Sequence, residues 1–176
     1  MESESIIERA IQSAQEIVST ERAPLSETEA RRQSLELVNG SEIAMVGSNA
    51  EAGYPNIKAM FKIRSDSLYR VWFSTNTSSR RVAQFRRDPR TCVYFHDPEH
   101  FAGLLLVGVM ETILDLEAKR SLWREGWEAY YPKGMGDPEY CILRFSPHLG
   151  NYYQALQNVN FRIDQDDRSI ADVQPW

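Results

Sequence analysis

The residues best suited to chemistry lie in one run, Phe73-Ser74-Thr75-Asn76-Thr77-Ser78-Ser79-Arg80-Arg81. An apolar, β-branched stretch ends there in hydroxyl and amide side chains, and two arginines follow where a helix begins. A helix N-terminus presents unpaired N–H groups and the positive end of its dipole, so it favours anions. Hydroxyls at that place either cap the helix or bond phosphate oxygens, and arginine adds charge-assisted forks. The chemistry implied is the holding of a phosphate or carboxylate, against the plainer reading of an ordinary N-cap with solvated arginines.

Charge placement supports the anion reading. Of 176 residues, 20 are Lys or Arg and 25 are Asp or Glu, a net charge of −5. Between Ala52 and His96, however, nine basic residues face only two acids, Asp66 and Asp88. Arginine outnumbers lysine 16 to 4, a bias toward planar forks that match carboxylate and phosphate. The acidic total argues against nucleic acid as a partner.

The elements that must position this run follow from periodicity. Apolar residues at helical spacing predict a first helix over 5–20, and Ser26-Glu27-Thr28-Glu29 is a capping-box signature for a second, ending near Asn39-Gly40. The period then changes to two. Strands are expected at 43–47, 56–64 and 68–74, a short helix at 79–87 ending at Asp88-Pro89, and further strands at 91–96 and 104–114. A helix over 116–131 would carry Trp123, Trp127 and Tyr130 on one face, and the loop 132–138 leads to strands at 140–145 and 150–155. Six to eight antiparallel strands without a βαβ rhythm imply a mainly β (α+β) fold, a small antiparallel barrel with flanking helices, two of them N-terminal. The expected organisation is an N-terminal helical extension over 1–40, a barrel over 41–155, and a C-terminal strand and acidic tail over 156–176.

Apolar residues at 42% and charged residues at 26% describe an ordinary globular chain. Two cysteines, Cys92 and Cys141, are too few for a disulfide framework or a zinc site and read as buried thiols. His96 and His100 have helical metal spacing, but Pro98 stands between them, so no metal site is expected. The apolar run 104–109 is far short of the roughly 20 residues that span a bilayer, and Met1-Glu2-Ser3-Glu4 is acidic where a signal peptide would be basic. A cytoplasmic protein without membrane partners is expected.

Strand, Ser-Thr-Asn-x-x-Ser-Arg-Arg, then a short helix ending in Asp-Pro resembles the flavin-mononucleotide (FMN) site of the pyridoxamine 5′-phosphate oxidase-like split β-barrels. The stretch 54–60 lies one hairpin earlier, where that family runs a strand past the flavin ring. Trp123, Tyr131-Pro132-Lys133-Gly134, Asp137-Pro138-Glu139 and Leu143-Arg144-Phe145-Ser146-Pro147 resemble the general stress protein branch. The likeness covers 42–153. It implies that Arg80 and Arg81 hold the flavin phosphate, with Ser79 preceding them, and that Ser74, Thr75 and Asn76 form the strand-end site. Lys58, Ala59 and Met60 would line the ring edge, Lys58 standing where the oxidases proper have an arginine, and Trp123 or Trp127 would cover the ring. It also implies a homodimer sharing two FMN sites and a flavin-dependent redox reaction, with a nicotinamide as candidate electron donor. The alternatives are a non-catalytic flavin-binding stress module, or a barrel that takes deazaflavin, heme or FAD. Two departures tell against pyridoxamine 5′-phosphate oxidation itself: Ala171–Trp176 lacks the oxidases' Arg-Leu-Ala-Pro-like segment, and their flavin-contacting glutamine falls near Gly103.

Overall fold

The structure, a computed structural model, describes residues 5–19 and 24–163. The tail 164–176 of the expected C-terminal segment, and residues 1–4 and 20–23 of the N-terminal extension, lie outside the described residues.

Two helices come first, α1 (Ile6–Ser19) and α2 (Glu27–Gly40). The start of α2 is set by Ser26, whose hydroxyl accepts the amide of Glu29 at 3.2 Å, with Glu27 and Glu29 in the first turn complementing the dipole. Ala30, Ser34 and Val38, four residues apart, form its buried stripe, while Arg31–Glu27 (2.8 Å) and Arg32–Glu29 (2.6 Å) pair on its exposed side.

Seven strands follow: β1 (Ile43–Asn49), β2 (Pro55–Asp66), β3 (Arg70–Asn76), β4 (Arg90–Asp97), β5 (Ala102–Ile113), β6 (Tyr140–Gln154) and β7 (Gln157–Arg162). Each pairs antiparallel with its neighbours in the order β3-β2-β1-β4-β5-β6-β7, and β6 also pairs with β3, which closes six strands into a barrel. Alternation does the sorting: on β1, Ala44, Val46 and Ser48 point inward while Ile43 and Met45 are exposed. Phe73, Phe95, Phe145, Leu104, Leu106 and Met110 fill the interior.

One 15-residue strand, β6, stands where the sequence suggested two shorter ones. Its first part, Tyr140 to Phe145, pairs with β3, and its last part, Leu149 to Gln154, pairs with β7. The hand-over falls at Pro147, which has no N–H to donate, opposite a register shift between Val107 and Gly108 on β5.

Between β3 and β4 lies α3 (Arg80–Arg87), which buries Val82, Gln84 and Phe85. After β5 the expected helix over 116–131 is cut short. Helix α4 (Leu116–Ser121) stops after six residues, Gly126 takes φ +86°, and only single 3-10 turns follow at Trp127–Ala129 and Gly134–Gly136. Left-handed backbone at Gly126 ends any continuous helix. The excursion instead folds its aromatic residues into a second core of Trp72, Leu122, Tyr131, Tyr140 and Ile142, with Trp123 and Trp127 packed against it. Buried Lys119 clips the base of this excursion by donating to the Asp137 carbonyl at 2.9 Å.

A Cβ at Gly108 would overlap the carbonyl oxygen of Ser146 and the Cα of Pro147. Both are backbone atoms and cannot swing aside, so Gly108→Ala is expected to cost about 1–3 kcal/mol. Urea unfolding should show a lower midpoint at unchanged slope, and an unaltered midpoint would remove this account of the hand-over.

Candidate functional site

The turn from β3 into α3 is held from outside itself. Glu139, just before β6, accepts the Thr77 amide on its carbonyl at 2.8 Å, and its carboxylate accepts the Ser78 amide at 3.2 Å and hydroxyl at 2.5 Å. Within the turn, the Ser79 amide donates to the Asn76 carbonyl at 3.0 Å, and the Ser79 hydroxyl caps α3 by accepting the Val82 amide at 3.3 Å. Ser79 is therefore an N-cap, in β-region backbone.

Arg81 is the unusual member. Its guanidinium donates to the Thr75 hydroxyl at 3.2 Å, its Nε is buried with no partner, and no carboxylate pairs with it among the described residues. Burial lowers its pKa below the usual arginine value. A half-buried, unneutralised guanidinium beside hydroxyls is suited to an incoming anion. The neighbouring Arg80 is exposed, and its side chain has no partner among the described residues. By contrast, Arg87 donates to the Asn49 carbonyl at 2.6 Å and Arg90 pairs with Asp88 at 2.8 Å.

Next to this turn opens a cleft of about 770 Å³, within the range of roughly 300–1,000 Å³ typical of small-molecule sites. Ser74, Thr75 and Asn76 line it from β3, Phe61 to Ser65 from β2, and Arg124, Trp127, Tyr130 and Tyr131 from the excursion. Arg64 lies over the Trp72 ring at 4.2 Å and pairs with Asp66 at 3.2 Å. Burial raises the pKa of the Tyr131 hydroxyl, with a bond to Ser74 pulling the other way. Behind Tyr131 stands Tyr140, ring centroids 4.8 Å apart, both buried, so this wall is backed by packed aromatic rings.

The structure thus brings together Ser74, Thr75, Asn76, Ser79 and Arg81, with Arg80 adjoining. Lys58, Ala59 and Met60 are placed elsewhere. Lys58 and Ala59 are exposed on β2 and Met60 is buried in the barrel, while the residues of β2 that line the cleft begin one position later, at Phe61. Trp123 packs on Tyr140 at 5.1 Å inside the second core, and Trp127 lines the cleft. Sequence reasoning gave no site role to Lys62 or Arg124, and quoted Tyr131 and Glu139 only as carriers of the family resemblance. The place of Lys62 depends on the register shift on β2 and on barrel closure. The other three depend on how the excursion folds back. At the β4–β5 turn, His100 pairs with Asp97 at 2.7 Å, and no group of three or more metal-ligating side chains occurs among the described residues. Neither cysteine forms a disulfide, Cys141 being buried and Cys92, against expectation, only half-buried, and no described helix is long and apolar enough to cross a membrane.

A closed six-stranded antiparallel barrel with flanking helices, one of them between β3 and β4, fits the split β-barrel class. The family model described as "Pyridoxamine 5′-phosphate oxidase like" matches residues 29–171, and the chain belongs to that family. Among solved structures it is similar to a Clostridium acetobutylicum protein related to general stress protein 26 (pyridoxinephosphate oxidase family). Identity there is 46%, over 78% of this chain and 97% of the other, with a TM-score of 0.72. General stress protein 26 of Bacillus anthracis shares the fold at 13% identity, over 76% of this chain and 98% of that one, TM-score 0.64. A heme binding protein from Mycobacterium smegmatis does so at 12% identity, over 76% of this chain and 57% of that one, TM-score 0.62. No curated protein matches the sequence.

Half-buried and without a counter-charge, Arg81 costs the folded protein part of the desolvation of a charge. Arg81→Met should therefore leave the Tm of the ligand-free protein unchanged or raised. Inorganic phosphate at ten times its Kd should stabilise the unsubstituted protein by about 1.4 kcal/mol and the variant not at all. Equal stabilisation of both in differential scanning calorimetry would refute the assignment of Arg81 to an anion.

Proposed function

We propose that this protein is an FMN-binding flavoprotein, a homodimer that uses the flavin for oxidoreduction. The observation that carries this reading is Arg81, a half-buried guanidinium with an orphaned Nε beside the hydroxyl of Thr75. The cleft next to it is walled by aromatic rings and is large enough for a nucleotide. Residues and group fit: Arg81 and Arg80 would hold the phosphate, Ser74, Thr75 and Asn76 the polar chain, and Trp127 with Tyr131 the flat face of the ring system. FMN supplies hydride and single-electron transfer when bound. The chain's own part is to bind and orient it, and to keep water from one wall with the packed aromatic core behind Tyr131.

The dimer is inferred from the outer face of the barrel. Ile43 pairs across with Phe61, Met45 lies between Ala59 and Tyr94, and Ile57 is opposite Gly47. This apolar patch is solvent-facing, with Phe61 71% and Ile57 62% exposed. Phe61 also lines the cleft, so a second subunit seated on the patch would border the site, and exposed Lys58 and Ala59 would belong to that boundary.

Titration with FMN, followed by its visible absorbance, should give saturable binding with one flavin per chain. Arg80→Ala with Arg81→Ala should weaken it at least a hundredfold, about 2.7 kcal/mol for the lost charge-assisted bonds, at unchanged far-UV circular dichroism. FAD, a deazaflavin or heme binding more tightly than FMN would replace the cofactor. Reduction of bound FMN by NADH or NADPH, with reoxidation by an added acceptor, supports the oxidoreductase. Binding without either step leaves a flavin-binding module.

Phe61→Glu with Ile57→Glu should convert a dimer to monomers in sedimentation equilibrium and lower FMN affinity in the same variant. A monomeric unsubstituted protein would overturn the shared site.

A further inference from the structure

We propose that Lys62 and Arg124 form a second anion-binding locus in the cleft, which takes the carboxylate of a flat aromatic acid beside the flavin. The proposal rests on the cleft being the FMN site. It is built from β2 and the segment after α4, whereas the Arg81 site is built from β3 and α3.

Both cations are fixed by main-chain carbonyls. The Lys62 amine donates to the carbonyls of Val38 and, at 3.3 Å, Asn39 at the end of α2. The Arg124 guanidinium donates through Nη2 to the Ile63 carbonyl at 2.6 Å. Neither pairs with a carboxylate among the described residues. The remaining cation of the wall, Arg64, is satisfied by Asp66 and Trp72. Glu42 is the single acid lining the cleft among the described residues, and it does not balance the local charge. Burial first and the Arg124 charge second lower the pKa of Lys62, against the opposing pull of Glu42. Two positive groups lining one cleft with a single acid beside them are relieved by an anion, which can accept from the donors that the carbonyls leave over.

The flavin phosphate is already matched by Arg80 and Arg81, so a second locus calls for a second negative group. Its neighbours give the rest of the ligand's character. Trp127, Tyr130 and Phe61 line the same cleft, Tyr130 and Phe61 more than 70% exposed, and offer flat faces to an aromatic ring. A carboxylate attached to a ring would meet both features at once.

The test is isothermal titration of the full-length, FMN-loaded protein with 4-nitrobenzoate and its neutral analogue 4-nitrobenzamide. The acid should bind at least tenfold more tightly, with affinity falling as salt rises. Arg124→Gln, which keeps a donor for the Ile63 carbonyl, should abolish the preference while leaving the Kd for FMN within twofold, and Arg124→Lys should restore part of it. Equal affinity for acid and amide overturns the proposal. So does an Arg124→Gln variant that loses FMN yet still prefers the acid. If the protein takes no FMN, the flavin reading has failed by itself. The same comparison on the flavin-free chain then decides this locus, an acid preference lost in Arg124→Gln sustaining it and equal affinities overturning it.

Discussion

Pairing between β3 and β6 is the constraint on which the site depends. It closes the barrel, and the same six-residue register from Val71↔Phe145 to Asn76↔Tyr140 sets everything at the strand ends. Because Asn76 is opposite Tyr140, Glu139 falls under the Thr77-Ser78 turn and can hold its amides. Because Tyr140 ends up there, its ring supports Tyr131 and Trp123 on one side while Thr75 faces Cys141 on the other, the thiol 3.2 Å from the Thr75 carbonyl. A slip of one residue would turn every one of these side chains to the opposite face. The long β6 strand can serve β3 and then β7 on one edge because Pro147 interrupts the donors where the partner changes.

Electrostatically, the cleft runs against the rest of the molecule. The chain is acidic, yet Arg81, Lys62 and Arg124 stand near one opening with no carboxylate paired to them among the described residues. Several cations elsewhere are neutralised: Arg32 has Glu29, Arg90 has Asp88, and Arg144 has Glu111 at 2.9 Å. Surface pairs of that kind contribute little stability. Leaving the partly buried Arg81 and Lys62 without a carboxylate lowers stability locally, a cost that the proposed binding site would account for.

How much of this was legible in the sequence follows from the range of each signal. The Ser26 cap, the period-two strands and the helix that starts at the arginine pair are local, and the structure has them where the residues implied, with Ser79 as the N-cap, the plainer of two readings. The excursion after β5 was misread because Trp123, Trp127 and Tyr130 suit a helix by spacing, while Gly126 and the second core decide otherwise. Strand β6 was read as two because Pro147 is a local break that a long-range partner change accommodates. Which part of β2 faces the cleft was not legible at all. It depends on the register shift between Lys62 and Arg64 and on closure of the barrel through β6, neither of which leaves a mark in a window of ten residues.

On the proposed dimer, Phe61 has a consequence of its own. One side chain belongs both to the exposed apolar face of the barrel and to the lining of the cleft. Burying that face against a second subunit removes water from the edge of the cleft, and a lower local dielectric strengthens every charge-assisted bond inside it. Coupling of this kind is reciprocal: whatever dimerisation adds to ligand affinity, the ligand adds to dimer affinity. The unpaired arginines give the effect its direction. If that boundary lies beside the cleft, the cleft's cations would oppose association while it is empty, and an anionic ligand would cancel their charge. In the proposed dimer, assembly and ligand capture would be one equilibrium, with Phe61 belonging to both.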